Sequence, residues 1–210
     1  MEAIGPAFSE EHMLADRSIV RLRLIRPDDA DELRRGFERL SPESRYRRFL
    51  SGVHQLSDEA LRYLTHVDER DHLAIVVTRP RPDGSEEGLG VARFIRLRDE
   101  PTVAEAAVTV LDSEQRKGLG YLLTTTLARA ARERGIRHFR VEVLADNQAV
   151  RELLRDVGAE LRQVEDDRLV FDVALGEEPV AADEPAARRS HALLRAASTW
   201  LDGLVHFRLR

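Results

Sequence analysis

SEQRKGLGYLL, residues 113–123, is the stretch on which the fold turns. Gly118 and Gly120 stand directly after the hydrophobic run TVAEAAVTVL (102–111) and at the head of a helical pattern. Glycines at such a strand-to-helix junction let backbone N–H groups close on an anion. Downstream, a helix is expected from about Gly118 to Arg134. Leu119, Leu122, Leu123, Leu127 and Ala130 mark its buried face, and Gly135 is its stop. IRHFRVEVL (136–144) reads as a strand. DNQAVRELLRDVG (146–158) reads as a helix capped by Asp146 or Asn147 and ended by Gly158. AELRQVEDDRLVFDVAL (159–175) reads as a hairpin around residues 165–167.

Upstream, HLAIVVT (72–78) and LGVARFIRLRD (89–99) flank a turn rich in proline, glycine and aspartate, so they form a hairpin. With TVAEAAVTVL they make three consecutive antiparallel strands. SIVRLRLIRP (18–27) is a further strand, with Val20, Leu22 and Leu24 on its apolar face. Three helices separate it from the hairpin: DDADELRRGFERL (28–40), SPESRYRRFLSG (41–52) capped by Ser41, and LSDEALRYLTHVD (56–68) capped by Ser57. The fold class is α+β: a mostly antiparallel sheet with one strand–helix–strand crossover, expected to be right-handed.

The ends differ in character. Residues 1–16 have no periodicity and read as a loose arm before a domain at 17–176. Residues 177–190 are a linker by composition. Residues 191–210 return to a helical period, with Leu193, Leu194, Ala197, Leu201 and Val205 in an apolar stripe beside Trp200. That stripe needs a partner: its own domain, a groove on that domain that it would cover, or a second copy in a homodimer.

Composition narrows the function. The 33 basic and 38 acidic residues leave a charge of −5, which exerts no general pull toward nucleic acid or an anionic membrane. The chain has no cysteine, which excludes disulfides, thiolate metal sites and a thiol nucleophile. The histidines show no pair at metal-ligand spacing, so no metal is expected. No apolar run reaches the roughly 20 residues that cross a bilayer. The first residues lack the pattern of a secretory signal, and a cytoplasmic protein is expected.

The glycines do not fit a P-loop, which needs G-x-x-x-x-G-K-S/T. Nor do they fit a dinucleotide fingerprint, whose third glycine is here Leu123. They could serve only a tight turn. The six residues Gln115-Arg116-Lys117-Gly118-Leu119-Gly120, however, match Q/R-x-x-G-x-G/A at every defined position. This is the pyrophosphate loop of the GNAT superfamily of N-acetyltransferases, which the chain resembles from Ser18 to Leu175. DNQAVRELLRDVGA (146–159) is similar to that family's second cofactor segment. LSPESRYRRFL, LSDEALRYLTHVD and DHLAIVV look like the protein lysine acetyltransferases of the Pat type.

The resemblance implies acetyl-CoA as cosubstrate and a primary amine, foremost a protein lysine, as acceptor. It implies that residues 115–120 hold the pyrophosphate, with Arg116 and Lys117 adding charge, and that Tyr121 belongs to the cofactor site. Backbone groups near Val108 and Val110 would pair with the pantetheine arm. Asn147 would touch the cofactor, or serve only as a helix cap. An acceptor lysine, with a pKa of about 10.4, must lose a proton before it attacks. Glu105, a carboxylate among small apolar neighbours in mid-strand, is the candidate general base. Burial there would raise its pKa. The alternative is an ion pair with Arg93 or Arg96. The tyrosine that many members use to protonate the departing thiolate is replaced by Leu154. Small-molecule N-acetyltransfer, or a non-catalytic acyl-CoA sensor, are the other functional readings.

Overall fold

A computed structural model describes residues 3–49, 54–156, 158–165 and 167–176. The expected linker and C-terminal helix, with any homodimer built on that helix, lie outside the described residues.

Eight strands form one sheet in the order β1-β2-β3-β4-β5-β6-β8-β7. They are β1 (Ser9–Met13), β2 (Ile19–Leu24), β3 (His72–Pro80), β4 (Glu86–Arg96), β5 (Val103–Val110), β6 (His138–Leu144), β7 (Glu160–Glu165) and β8 (Arg168–Ala174). Every neighbouring pair is antiparallel except β5 and β6, which are parallel. The helices are α1 (Ala30–Arg39), α2 (Pro42–Phe49), α3 (Asp58–Thr65), α4 (Leu119–Glu133) and α5 (Gln148–Asp156). This is the expected α+β architecture, and α4 is the crossover between the two parallel strands.

The alternation in each strand sorts its side chains onto two faces. On one face, Val20, Leu22, Leu73, Ile75, Phe94, Ala104 and Ala106 meet Leu119, Leu123 and Leu127 of α4 in the main core. Leu154 of α5 joins the same core, fully buried. On the other face, Phe37 of α1 and Leu61 and Leu64 of α3 pack with Leu56 and Ile95. The cap signals act as read. Ser57 Oγ accepts the Ala60 N–H at 3.1 Å, and Ser41 Oγ accepts the Ser44 N–H at 3.1 Å.

The arm is a correction. Residues 9–13 are a strand paired with β2 from Ser9↔Arg23 to Met13↔Ile19, and Ile4, Phe8 and Leu14 are buried. The segment is held because β2 would otherwise present an open edge, and because its widely spaced apolar residues fill the end of the main core. Arg134 Nη2 also donates to the Ile4 carbonyl at 2.7 Å.

Candidate active site

The parallel pair β5–β6 opens almost as soon as it forms. Only Val103↔His138, Ala104↔Phe139 and Glu105↔Arg140 are in register. Beyond Glu105, β5 runs on to Val110 and β6 to Leu144 without pairing to each other. The two strands therefore splay, and each turns a backbone edge toward the gap. Val108 and Val110 lie on that diverging part of β5, with the Val110 side chain buried. The strands being parallel, the loops that follow β5 and β6 sit at the same end of the sheet. One loop is the glycine motif and the other carries Asn147, directly before α5. Asn147 donates its N–H to Leu144 O at 3.0 Å, and its carbonyl accepts the Arg151 N–H at 3.1 Å.

The glycine loop has the backbone its sequence demands. After a short 3-10 turn at Asp112–Glu114, Arg116 takes φ 61° and Gly118 takes φ 86°. Gly118 is the N-cap of α4, and no side chain caps that end. The first N–H groups of the helix thus keep the partial positive charge of an uncapped terminus. A Cβ built on Gly118 would meet no atom within 4 Å, so the space in front of the loop is open. An uncapped terminus, an open space and an adjoining splay fit the pyrophosphate and pantetheine of an acyl-CoA. Leu119 and Gly120 are buried, so only their backbone is open to a ligand. Gln115 and Tyr121 are half-buried and Arg116 is exposed.

Lys117 is engaged in the loop itself. Its Nζ lies 3.0 Å from Glu114 Oε2, and Arg79 Nη2 lies 2.7 Å from the same oxygen. Burial favours the neutral form of Glu114, but hydrogen bonds from Arg79 and Lys117 outweigh it and hold the carboxyl below its ordinary range. Asp112 ties α2 to the loop: its carboxylate accepts the Ser41 N–H at 3.0 Å and the Ser44 hydroxyl at 2.6 Å. Neither link was expected from the sequence. Ser41 and Asp112 are far apart in the chain, and only the sheet brings them together.

Glu105 stands at the apex of the splay, the last β5 residue in register with β6. It is exposed, which corrects the expectation of a buried mid-strand carboxylate. The cause lies in what covers its face. The α1–α3 layer reaches Ile95, the partner of Glu105 on β4, whereas on the other side the row continues into Arg140 and Asp172. Arg140 binds Asp172 and Glu100, at 2.8 and 2.5 Å. Arg96 points from the opposite face and binds Asp71 at 2.6 Å, so it does not answer Glu105. Arg93 shares the face of Glu105, is buried, and donates to His72 Nε2 at 2.8 Å and to Leu64 O at 3.0 Å. The half-exposed Tyr63 borders the same region. Its phenol is pushed up by burial first; the charge of Arg93 opposes this and that of Glu105 adds to it.

The family model of the acetyltransferase (GNAT) domain matches residues 20–160. The chain belongs to the GNAT acetyltransferase family. Members of this family use acetyl-CoA as acyl donor. The chain is 37% identical over 142 residues to the acetyltransferase Pat of Mycolicibacterium smegmatis, covering 66% of this chain and 40% of that protein. It thus spans well under half of that relative. It is 32% identical over 145 residues to an acetyltransferase of Pseudomonas aeruginosa, covering 69% of this chain and 77% of that one. The solved GNAT domain of PAT from S. lividans is similar to it with a TM-score of 0.68 and 30% identity, over 79% of this chain and 96% of that domain. Among the described residues, no helix is long and apolar enough to cross a membrane.

Proposed function

We propose that this GNAT domain transfers an acetyl group from acetyl-CoA to a primary amine, and that the acceptor is a protein lysine. The observation that carries this reading is the exposed carboxylate of Glu105 at the apex of the β5–β6 splay. A base in that position is reachable by a side chain presented from another molecule. The likeness to Pat proteins supports the same acceptor class.

Acetyl-CoA supplies the acetyl group as a thioester already activated for transfer. The N–H groups of Gly118, Leu119 and Gly120, with Gln115 and Arg116 alongside, hold the pyrophosphate at the head of α4. Lys117 balances Glu114 beneath the loop, and its charge also favours the anion. The diverging edge of β5 at Val108 and Val110 pairs with the pantetheine amides as a strand would. Asn147, across the gap, contacts the same arm. Glu105 takes the proton that the acceptor's ammonium must lose, directly or through one water. Leu154 is buried at the position of the family's tyrosine and can donate no proton, so the departing sulfur takes one from another group or from water, or leaves as the thiolate.

The test measures free CoA release against lysine peptides, polyamines and amino acids, beside a calorimetric titration with acetyl-CoA. Glu105→Gln should lower kcat on peptides by about a hundredfold or more and leave acetyl-CoA affinity unchanged. Turnover on small amines but not on peptides would replace the lysine acceptor. Binding without turnover on any amine would make the domain an acyl-CoA sensor.

A further inference from the structure

A large aromatic side chain stands open to solvent beside Glu105. α3 buries Ala60, Leu61 and Leu64 but leaves Tyr63 44% exposed. The sheet sets its place. His72, Ile95 and Glu105 pair across β3, β4 and β5, so their side chains form one row on one face. The Tyr63 ring lies 5.1 Å from the His72 ring, tilted by 37°. His72 is fixed in turn by Arg93, which donates to its Nε2 at 2.8 Å.

Tyr63 thus stands at the β3 end of the row and Glu105 at its β5 end, two strand spacings or about 10 Å further across. Ile95 lies between them, half-buried, and packs with Leu61 and Leu64 of α3. Arg93 belongs to the next row, with Ala74 and Ala107, and so is not between them. The phenol of Tyr63 is raised by burial first; Arg93 opposes this and the charge of Glu105 adds to it, so ring and carboxylate share one electrostatic neighbourhood.

From β3 to β5 the accessible groups run aromatic, aliphatic, anionic. A lysine side chain has the matching order: a flexible four-carbon stem that ends in an ammonium. Such a side chain lays its stem along apolar surface and keeps its charged head at water or at a partner charge. With the head at Glu105, the stem crosses Ile95 and reaches the Tyr63 ring, whose π-face also attracts a cation on its way in. We infer that Tyr63 binds the acceptor, taking the aliphatic stem of the lysine against its ring with Ile95 as the floor. The inference rests on the reading of Glu105 as the base for a lysine acceptor.

Initial rates of CoA release on a lysine peptide, at saturating acetyl-CoA, test it on wild type, Tyr63→Phe and Tyr63→Ala, beside calorimetric titration of each with acetyl-CoA. Tyr63→Ala should raise KM for the peptide about tenfold and keep kcat within about twofold, the split expected when binding alone is lost. Tyr63→Phe keeps the ring and should stay within about twofold of wild type in both. Acetyl-CoA affinity should be the same in all three proteins. Peptide turnover with an unchanged KM in Tyr63→Ala would overturn the inference and leave the lysine reading standing. A matching loss of acetyl-CoA affinity in Tyr63→Ala would overturn it too, since the ring would then only support the fold. A fall in kcat at constant KM in Tyr63→Phe would overturn it in favour of the hydroxyl as a proton donor. No turnover of peptides by wild type would remove the lysine reading and this inference with it.

Discussion

Gly118 joins two demands at one residue. Its φ of 86° lies in the left-handed region, which costs a side-chain-bearing residue roughly 1–2 kcal/mol. Its absent Cβ leaves the approach to the α4 terminus open. Gly118→Ala should therefore lower stability by about that amount, seen in chemical unfolding. It should also weaken acetyl-CoA binding beyond what the stability loss explains, by tenfold or more, because the new methyl stands before the helix amides. Equal affinity in the two proteins would mean that the phosphates do not approach the loop there. The left-handed turn at this glycine was legible in the sequence, since few residues besides glycine adopt such a φ. The exposure of Glu105 was not. Alternation assigns a side chain to a face but does not say how far the covering helices extend along it.

β1 shows what short-range pattern misses at the level of an element. Ser9–Met13 is polar and brief, and its contribution to the core comes from flanking residues that share no period: Ile4, Phe8 and Leu14. Phe8 is buried, and the Arg129 guanidinium lies 5.4 Å from its ring centre. Phe8→Ala should destabilise the domain by about 3–5 kcal/mol in a denaturant titration. A loss below 1 kcal/mol would restore the loose arm. The longer elements were legible because each carries its own period and stop signal, as α4 does from Leu119 to Gly135. The docking of α2 on Asp112 was not, because it joins residues from opposite ends of the sheet's first half. Asp112→Ala should leave the fold intact and speed amide exchange in the first turn of α2, which loses the acceptor for Ser41 and Ser44.

Across the whole molecule, acid sensitivity separates into two windows. Several carboxylates are held below their ordinary range, among them Glu86 by Arg23 and Arg21, and Asp172 by Arg140 and Arg162. In each of these two, burial pulls the other way and is outweighed. Their stabilisation is lost only as pH falls through those lowered values. His72 acts earlier. It is buried between α3 and the sheet, with the Tyr63 ring centre 5.1 Å from its own and Arg93 donating to Nε2. That hydrogen bond requires an unprotonated Nε2, so the neutral ring carries its proton on Nδ1. Burial first, and then the charge of Arg93, lower its pKa from 6.5 to about 4; Asp68 opposes them. Between those values the unfolded chain binds a proton that the folded chain does not, so stability rises with pH. Acidification through this window should cost about 3 kcal/mol in total, most of it before the carboxylates titrate. His72→Gln keeps an acceptor for Arg93 and removes the titration. Its unfolding free energy, followed from pH 7 down to about 4, should run flatter than wild type by that amount, whatever its starting stability. Parallel curves would mean that His72 binds its proton equally well in the folded and unfolded chain, and the Arg93 contact that backs the Glu105 face would have to be redrawn.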